Sequence, residues 1–469
     1  MKVLLIYIEE PKDVYGRYSD VGSYLPPLGL ATIAAILERD SHKIKIIDNS
    51  VMRWHIPQII QKVAEFNPDC VGFSATTPML PFTKKVAKGI KERLKEIQLV
   101  IGGSGITADK KTIWDSVIDY GVYGEGDYTF LELITNLDQK RKVDNIRGII
   151  LNTDVQRINP PRASIENLDE LPIPAYHLLP KLKNYRIDPD RSIDFPIGTI
   201  VTSRGCPYNC IFCDHSTFSR KFRAHSAERV VDEMKLLVNK FGVKEIDFED
   251  DLFIFDKQRV IKICRLLKKE KFKVKWQCTA RANLIDEELV KEMASAGCWL
   301  VSIGIESGSQ RILNLIKKGI TIEQIIKSVM LMDKYGIKVR GYFMINNLSE
   351  TKEEMAASLK LALSLPLHTI FVCITTPFPN TELWNIAKNY GSFNKDMNNI
   401  ELFSDNPNFI TYGFTKEEII DFNKKFYIKF FFRPKQILKY FFWIMTLPPR
   451  QSFKLFRYYT SAGITILNI

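Results

Sequence analysis

The sequence lacks any segment long and apolar enough to cross a bilayer. Its longest late apolar stretch, Tyr440–Met445, falls far short of the roughly 20 residues a spanning helix needs. The N-terminal run Met1-Lys2-Val3-Leu4-Leu5-Ile6-Tyr7 is too short for a secretory signal and meets Glu9 and Glu10 directly, so it reads as a first buried strand. A cysteine pairing pattern is missing as well. The eight cysteines, Cys70, Cys206, Cys210, Cys213, Cys264, Cys278, Cys298 and Cys373, are scattered among apolar residues apart from one group. This excludes a disulfide scaffold and implies reduced thiols and a cytoplasmic setting. Acidic residues almost disappear after residue 420, where Lys424, Lys425, Lys429, Arg433, Lys435, Lys439, Arg450, Lys454 and Arg457 face only Asp421. That imbalance supplies part of the net charge of +12 and suits acidic lipid or an anionic substrate.

What is present is enough for several cores. At 469 residues and 45% hydrophobic, the chain exceeds the about 250–300 residues at which a single core stops growing, so two main domains and a tail are expected. Over residues 1–140 short apolar runs alternate with helical patterns, as in a parallel sheet covered on both faces. Strands are expected at Val3–Tyr7, Lys43–Asp48, Cys70–Ser74, Leu99–Gly102 and Gly121–Tyr123, with helices beginning near Pro27, Ile56, Pro81, Lys110 and Tyr128. This is an α/β, doubly wound (Rossmann-like) arrangement, whose ligands sit beyond the carboxyl ends of the strands. Residues 141–195 contain Asn159-Pro160-Pro161 and Leu171-Pro172-Ile173-Pro174 and read as an interdomain linker, because proline removes amide donors. From 196 to 385 the alternation resumes, with strands near Gly198–Ser203, Lys244–Glu249, Lys273–Thr279, Trp299–Gly304, Lys338–Met344 and Thr369–Ile374. Six such units make a partial (β/α)6 barrel with its chemistry at the strands' carboxyl ends. Residues 386–469 form a basic, aromatic and mainly helical tail. Its aromatics and cations suit a lipid interface, or an amphipathic helix packed on the barrel with its basic face in solvent.

After the barrel's first strand comes Arg204-Gly205-Cys206-Pro207-Tyr208-Asn209-Cys210-Ile211-Phe212-Cys213. Three soft thiolates that close can occupy three irons of a cubane cluster and leave the fourth open to a substrate. A zinc site would need four ligands; His215 could be the fourth, but C-x3-C-x2-C does not match the usual paired knuckles.

The segment resembles the signature of the radical S-adenosylmethionine (SAM) superfamily, C-x3-C-x-aromatic-C, met by Cys206, Cys210, Phe212 and Cys213. The resemblance implies a [4Fe-4S] cluster on these three cysteines, with SAM on the open iron cleaved reductively to a 5′-deoxyadenosyl radical. It also implies an electron donor of flavodoxin or ferredoxin type. Glu249-Asp250-Asp251 corresponds to the acidic segment near the methionine amino group, which nominates Glu249 and Asp250. A carboxylate there could pair with an ammonium, or Asp250 or Asp251 could simply cap a helix. Arg281 resembles the basic residue near the SAM carboxylate, with a surface or ion-pair arginine as the competing role. Ser302-Ile303-Gly304-Ile305-Glu306-Ser307-Gly308 resembles the fourth-strand motif, with Glu306 approaching SAM. Asn346-Asn347-Leu348-Ser349-Glu350-Thr351 departs from the family's glycine-rich turn, and no adenine contact is assigned to it. Thr375-Thr376-Pro377-Phe378-Pro379-Asn380-Thr381 resembles the family's closing segment.

Pro26-Pro27-Leu28-Gly29-Leu30, Gly102-Gly103 and Gly124-Glu125-Gly126 make the first domain resemble the cobalamin (B12)-binding domain that precedes many radical SAM domains. Of the family's elements, Ser74-Ala75-Thr76 and Gly102-Gly103 are kept, and Ser74, Thr76, Gly102 and Gly103 are the implied cofactor contacts. Ser50 stands where a ligating histidine would be, and a hydroxyl is a poor substitute for imidazole at cobalt. This implies cobalamin without a histidine ligand, or a domain that has lost it. His55 is read as a helix-surface residue rather than a replacement ligand.

The resemblance implies cobalamin-dependent methyl transfer to an unactivated carbon of a small-molecule, lipid-like or natural-product substrate. The alternatives are radical cyclisation, C–C coupling or oxidation without methyl transfer, and a non-catalytic corrinoid or redox sensor. A nucleic-acid-modifying methylthiotransferase would need a second cluster on N-terminal cysteines, where only Cys70 stands. No nucleic-acid partner is therefore expected; peripheral membrane contact through the tail is.

Overall fold

In the computed structural model, which describes residues 1–8, 23–114, 116–152, 156–394, 407–445 and 452, two large sheets, the first mostly and the second wholly parallel, follow each other along the chain. The first has seven strands in the order β2-β1-β3-β4-β5-β6-β7. These are β1 (Lys2–Tyr7), β2 (Lys43–Asp48), β3 (Cys70–Ser74), β4 (Gln98–Gly102), β5 (Tyr120–Val122), β6 (Ile149–Asn152) and β7 (Gln156–Ile158). The first five are parallel, and the inner strand β1, buried on both faces, reads Lys-Val-Leu-Leu-Ile-Tyr without alternation. The sheet runs past residue 140, because β6 and β7 turn back antiparallel onto β5 as an edge. The helix expected near Lys110 is only a 3₁₀ turn, Lys110–Ile113, preceded by a short helix Ser104–Ala108. The Asp109 side chain accepts from the Lys111 amide and starts that turn.

The second sheet is the open barrel, β15-β14-β13-β12-β11-β8, parallel throughout. Its strands are β8 (Ile197–Ile200), β11 (Glu245–Phe248), β12 (Lys275–Ala280), β13 (Cys298–Glu306), β14 (Lys338–Ile345) and β15 (Thr369–Ile374). A two-residue ribbon, β9 (Ser203–Arg204) against β10 (Arg223–Ala224), closes the loop that holds the three cysteines. The covering helices carry ordinary punctuation: Ser226 caps Ala227–Phe241, which ends at Gly242 with φ +69°, and Thr351 and Glu354 form a capping box at Lys352–Ser364.

The proline-rich segment is short 3₁₀ turns pinned into both domains. Tyr176 Oη donates to Glu233 Oε1 at 2.8 Å, and Tyr185 Oη donates to Asp48 Oδ2 at 2.7 Å. Residues 188–194 enter the barrel itself: Asp190 accepts from Thr369 Oγ1 at 2.6 Å, and Glu245 Oε2 accepts from the Ile193 and Asp194 amides.

In the tail, helix Lys416–Phe431 packs on the barrel and fully buries Phe426 and Phe430, each contributing about 2 kcal/mol. Helix Pro434–Met445 is anchored by Gln436 and Tyr440, both donating to the His368 carbonyl, and exposes Ile437, Leu438, Phe441, Phe442 and Met445. Lys439 is not part of a solvated basic face, because it donates to the Pro366 and Leu367 carbonyls. Glu9, Glu10, Arg450, Lys454 and Arg457 lie outside the described residues. Among those described, no helix is long and apolar enough to cross a membrane.

Candidate functional site

The loop from Gly205 to Phe222 leaves β9 on a glycine with φ +85°, where a Cβ would stand 2.4 Å from the Lys221 carbonyl oxygen. Only glycine allows that close return. Ile211, buried in the middle of the loop, fixes it to the barrel: its amide donates to the Ile316 carbonyl at 3.1 Å, and its carbonyl accepts from the Leu383 amide at 2.8 Å. Cys206 is half-buried, Cys210 buried, and Cys213 open to solvent on one side. Burial raises the Cys206 thiol, and burial with Asp251 and the other two cysteines pushes Cys213 up to about 12. For Cys206 and Cys213 this favours the protonated thiol, and coordinated iron would supply the positive charge that reverses the preference.

Among the described residues, no three His, Cys, Asp or Glu side chains converge on a point that one ion could occupy. A structural zinc takes four ligands on one ion, whereas a cubane takes each cysteine on a separate iron. His215 has a buried Nε2 with no hydrogen-bond partner and a pKa lowered by burial.

Arg281, 5% exposed, lies beside this loop. Its Nη1 is 3.7 Å from Cys210 Sγ and its guanidinium 3.7 Å from the centre of the Tyr208 ring, while Nε and Nη2 are buried without acceptors. Buried donors without acceptors are costly, so these two fit a carboxylate supplied by a ligand. Glu306, at the end of β13 with φ +65°, is 2.6 Å from the ammonium of Lys318, which lies 5.8 Å from the Phe212 ring.

The acidic segment after β11 divides in a way its sequence did not reveal. Asp250 is committed to the scaffold, accepting from the Thr202 amide at 2.6 Å, from Thr202 Oγ1 at 2.7 Å and from the Ser203 amide. Glu249 continues the inward alternation of Glu245 and Asp247 and pairs with Arg191 at 3.0 Å inside the barrel. Burial opposes its charge, but Arg191 holds the carboxyl below its ordinary value; Asp247, more deeply buried and beside Glu249, is raised. The residue that faces Cys206 and Cys213, and accepts from the Gly205 amide, is Asp251.

Below this rim the barrel interior is charged and aromatic. Arg191 also pairs with Asp247 at 2.8 Å, and Arg340 lies 5.3 Å from the Tyr342 ring and 5.4 Å from Phe371. Both guanidinium Nε atoms are buried without partners. Sequence reading missed Arg191 and Arg340; the available signal was the run of inward charges Glu245, Asp247 and Glu249, which requires buried cations.

In the first domain a cavity of about 210 Å³ opens beyond the carboxyl ends of β1, β3, β4 and β5, lined by Gly72, Ser74, Gly102, Gly103, Gly124 and Glu125 among others. A Cβ on Gly103, φ +101°, would stand 2.6 Å from the Ala75 carbonyl oxygen, and one on Gly72 2.9 Å from Leu5. A slot cut by glycines at the strand ends fits the nucleotide tail of a corrinoid. Thr76 starts the turn Thr77–Met79 outside this lining. Ser50 is buried, and its hydroxyl donates to Asp48 Oδ1 at 2.6 Å, so it presents no ligand. His55 is the exposed N-cap of helix Ile56–Phe66 and does not line the cavity.

Two family models match the chain. Residues 200–362 match the radical SAM superfamily, and residues 17–134 match the B12 binding domain. An uncharacterized methyltransferase of Pyrococcus horikoshii, PH0819, is 38% identical over 443 residues, covering 94% of this chain and 95% of that protein. The hopanoid C-3 methylase of Methylococcus capsulatus is 26% identical, covering 78% and 70%. Among solved structures, the cobalamin-dependent SAM radical enzyme OxsB, with aqua-cobalamin and SAM bound, superposes with a TM-score of 0.76 at 20% identity, covering 99% of this chain and 72% of that one. TsrM from Kitasatospora setae, with cobalamin and a [4Fe-4S] cluster bound, gives 0.67 at 21%, covering 83% and 75%. The cofactors of this domain pair are a [4Fe-4S] cluster, SAM and cobalamin. With a cysteine loop suited to a cluster, a glycine-cut slot suited to a corrinoid, and a relative aligned along nearly the whole length, the chain belongs to the radical SAM superfamily, in the subgroup with a B12-binding domain.

Proposed function

We propose that this radical SAM enzyme transfers a methyl group to an unactivated carbon of a small molecule with an apolar body and a polar end. The observation that carries the reading is that the corrinoid slot is walled in part by Arg204, Thr217 and Phe218 of the cysteine-bearing segment, so the two cofactor sites share a boundary. When bound, the cluster and SAM supply a hydrogen-abstracting radical, and cobalamin supplies the methyl group. Cys206, Cys210 and Cys213 hold the cluster, and Phe212 packs beside it against Lys318. Arg281 offers two free donors to the SAM carboxylate, Glu306 binds the amino acid or ribose part, and Asp251 rather than Asp250 approaches the ammonium. Tyr342 and Phe371, 5.9 Å apart edge to face, receive the substrate's apolar body, with Arg340 and Arg191 orienting its polar end.

The test is anaerobic turnover of the reconstituted protein with hydroxocobalamin, SAM labelled in its methyl group and a low-potential donor, followed by mass spectrometry. Labelled product supports methyl transfer. Accumulation of 5′-deoxyadenosine with an unmethylated, altered substrate supports cyclisation or oxidation instead.

A second reading concerns the tail. Helix Pro434–Met445 exposes Ile437, Leu438, Phe441, Phe442 and Met445 by 50–70%, next to exposed Lys435. This supports peripheral contact with an anionic lipid surface. Flotation with anionic vesicles is expected to carry the protein, and Phe441→Ser with Phe442→Ser to leave it in the pellet fraction.

A further inference from the structure

The segment that carries the cysteines is closed at its stem by β9 and β10, where Arg204 stands opposite Arg223. Two arginines side by side within protein require anions. The first domain supplies them. Arg204 donates through Nη1 to Glu125 Oε2 at 2.9 Å and Asp127 Oδ2 at 2.7 Å, and through Nη2 to Asp127 Oδ1 at 3.1 Å. Arg223 Nη2 lies 2.6 Å from Glu125 Oε1. The four side chains are between 3% and 11% exposed, so the contacts are poorly screened by solvent.

Glu125 and Asp127, which follow β5, line the corrinoid slot together with Arg204, Thr217 and Phe218 of the cysteine-bearing segment. The Arg204 guanidinium lies 5.2 Å from the Phe218 ring, and Arg223 donates to the Phe218 carbonyl at 3.0 Å. Stem and distal part of the cysteine-bearing segment are thus bonded to one another at the slot's wall, and anything filling the slot touches both.

We propose that Arg204, Arg223, Glu125 and Asp127 form a clamp that couples the two cofactor sites. A corrinoid in the slot holds the cysteine loop in its cluster-binding shape, and a loaded cluster tightens corrinoid binding by the same factor, since coupling between binding sites is reciprocal. Arg204 is a positioning residue here: it acts through the loop that begins one residue later. The inference rests on the corrinoid's occupying the first domain and not on methyl transfer.

The test is a visible-absorption titration of the full chain with hydroxocobalamin under anaerobic conditions, once without iron and once with the cluster reconstituted. The cluster-loaded form is expected to bind roughly tenfold more tightly. Iron extraction by a chelator is expected to be several-fold slower when hydroxocobalamin is present. In Arg204→Met the affinity ratio is expected to fall to one, with Arg204→Lys keeping part of it, since lysine cannot make the forked contact. A structural staple would lower both affinities and leave their ratio unchanged, which overturns the proposal. If Arg204→Met does not fold, Asp127→Asn serves, because Glu125 still pairs with the arginine. Binding with equal affinity in both forms of the native chain overturns the clamp alone; no binding in either form overturns it together with the corrinoid reading, whereas absence of methylated product bears only on methyl transfer.

Discussion

Replacing Lys318 by methionine isolates a buried ion pair beside Phe212 of the cysteine loop. The Lys318 ammonium is 2.6 Å from Glu306 Oε1, and the two side chains are 10% and 9% exposed. Neighbouring geometry leaves the pair nowhere else to go. A Cβ on Gly304 would stand 2.4 Å from Glu306 Oε1 and 2.6 Å from Lys318 Nζ, so the pair occupies the space a side chain would take. Glu306 also sits at φ +65°, beside a register shift between β13 and β14, a conformation that itself costs about 1 kcal/mol. Lys318→Met strands a buried carboxylate and is expected to cost about 3–5 kcal/mol; Glu306→Gln strands an ammonium at similar cost. The double variant removes both charges and should cost far less than the sum, giving a coupling of roughly 2–3 kcal/mol. The assay is urea unfolding of the iron-free protein, read on the barrel's transition, with SAM affinity measured alongside on the reconstituted form. Lys318→Arg, which keeps a cation over Phe212, should retain SAM binding where Lys318→Met loses it. Additive single effects, or a cost below about 0.5 kcal/mol for Lys318→Met, would refute the reasoning.

Gly103→Ala forces a Cβ against backbone atoms of Ala75 at 2.6 and 2.9 Å, so hydroxocobalamin affinity should fall at least about tenfold and stability by about 2–4 kcal/mol. Gly124→Ala, at φ +73° with open space around the Cβ, is the control and should cost only about 1 kcal/mol. Asp250→Asn turns an amide donor toward Thr202 and Ser203, which already donate, and should cost about 2 kcal/mol of stability while SAM affinity of the folded protein stays unchanged. A selective loss of SAM affinity would return Asp250 to the binding site. His368 is fully buried with neither ring nitrogen partnered, among Trp299, Tyr440 and Trp443, and burial pushes its pKa down to about 3. Below about pH 6.5 the unfolded chain therefore binds a proton that the folded chain refuses, and stability falls with pH down to about 3. His368→Phe should remove about 2 kcal/mol of the stability lost between pH 7 and pH 5, measured by unfolding at the two pH values.

The parallel strands were readable because burial on both faces writes a strand such as β3 as an unbroken apolar run, and β2, at the sheet's edge, as alternating lysine and isoleucine; β2, β3 and β15 lie where the pattern placed them. The cysteine loop stood out in the sequence because its pattern is local, with three thiols, a glycine and a proline within ten residues. What escaped was set by partners distant in the chain. Asp250 and Asp251 are adjacent and chemically identical, and only the position of Thr202, 48 residues away, sends one into the scaffold and leaves the other facing the cysteines. Asn346 was seen only as the loss of a glycine turn. Its amide donates to the Phe409 carbonyl at 2.9 Å and its Oδ1 accepts from Thr411 Oγ1 at 2.6 Å, holding the Gly391–Phe393 and Phe409–Thr411 hairpin on the barrel.

The linker shows the same limit most strongly, and it alters how the barrel is understood. Proline content identified a segment without regular structure, but not its destination. Asp188, Asp190 and Arg191 lie within the barrel because inward residues Arg340, Thr369, Asp247 and Glu249 would otherwise hold buried polar groups without partners. The six-stranded barrel is open, and here the connection between the domains enters it and pairs with inward residues of β11, β14 and β15. The same connection donates Tyr185 Oη to Asp48, beside Ser50 at the end of β2. One segment therefore fixes the polar floor of the barrel and also closes the loop from which a cobalt-binding histidine would have come, so the geometry of each domain is set partly by a segment belonging to neither.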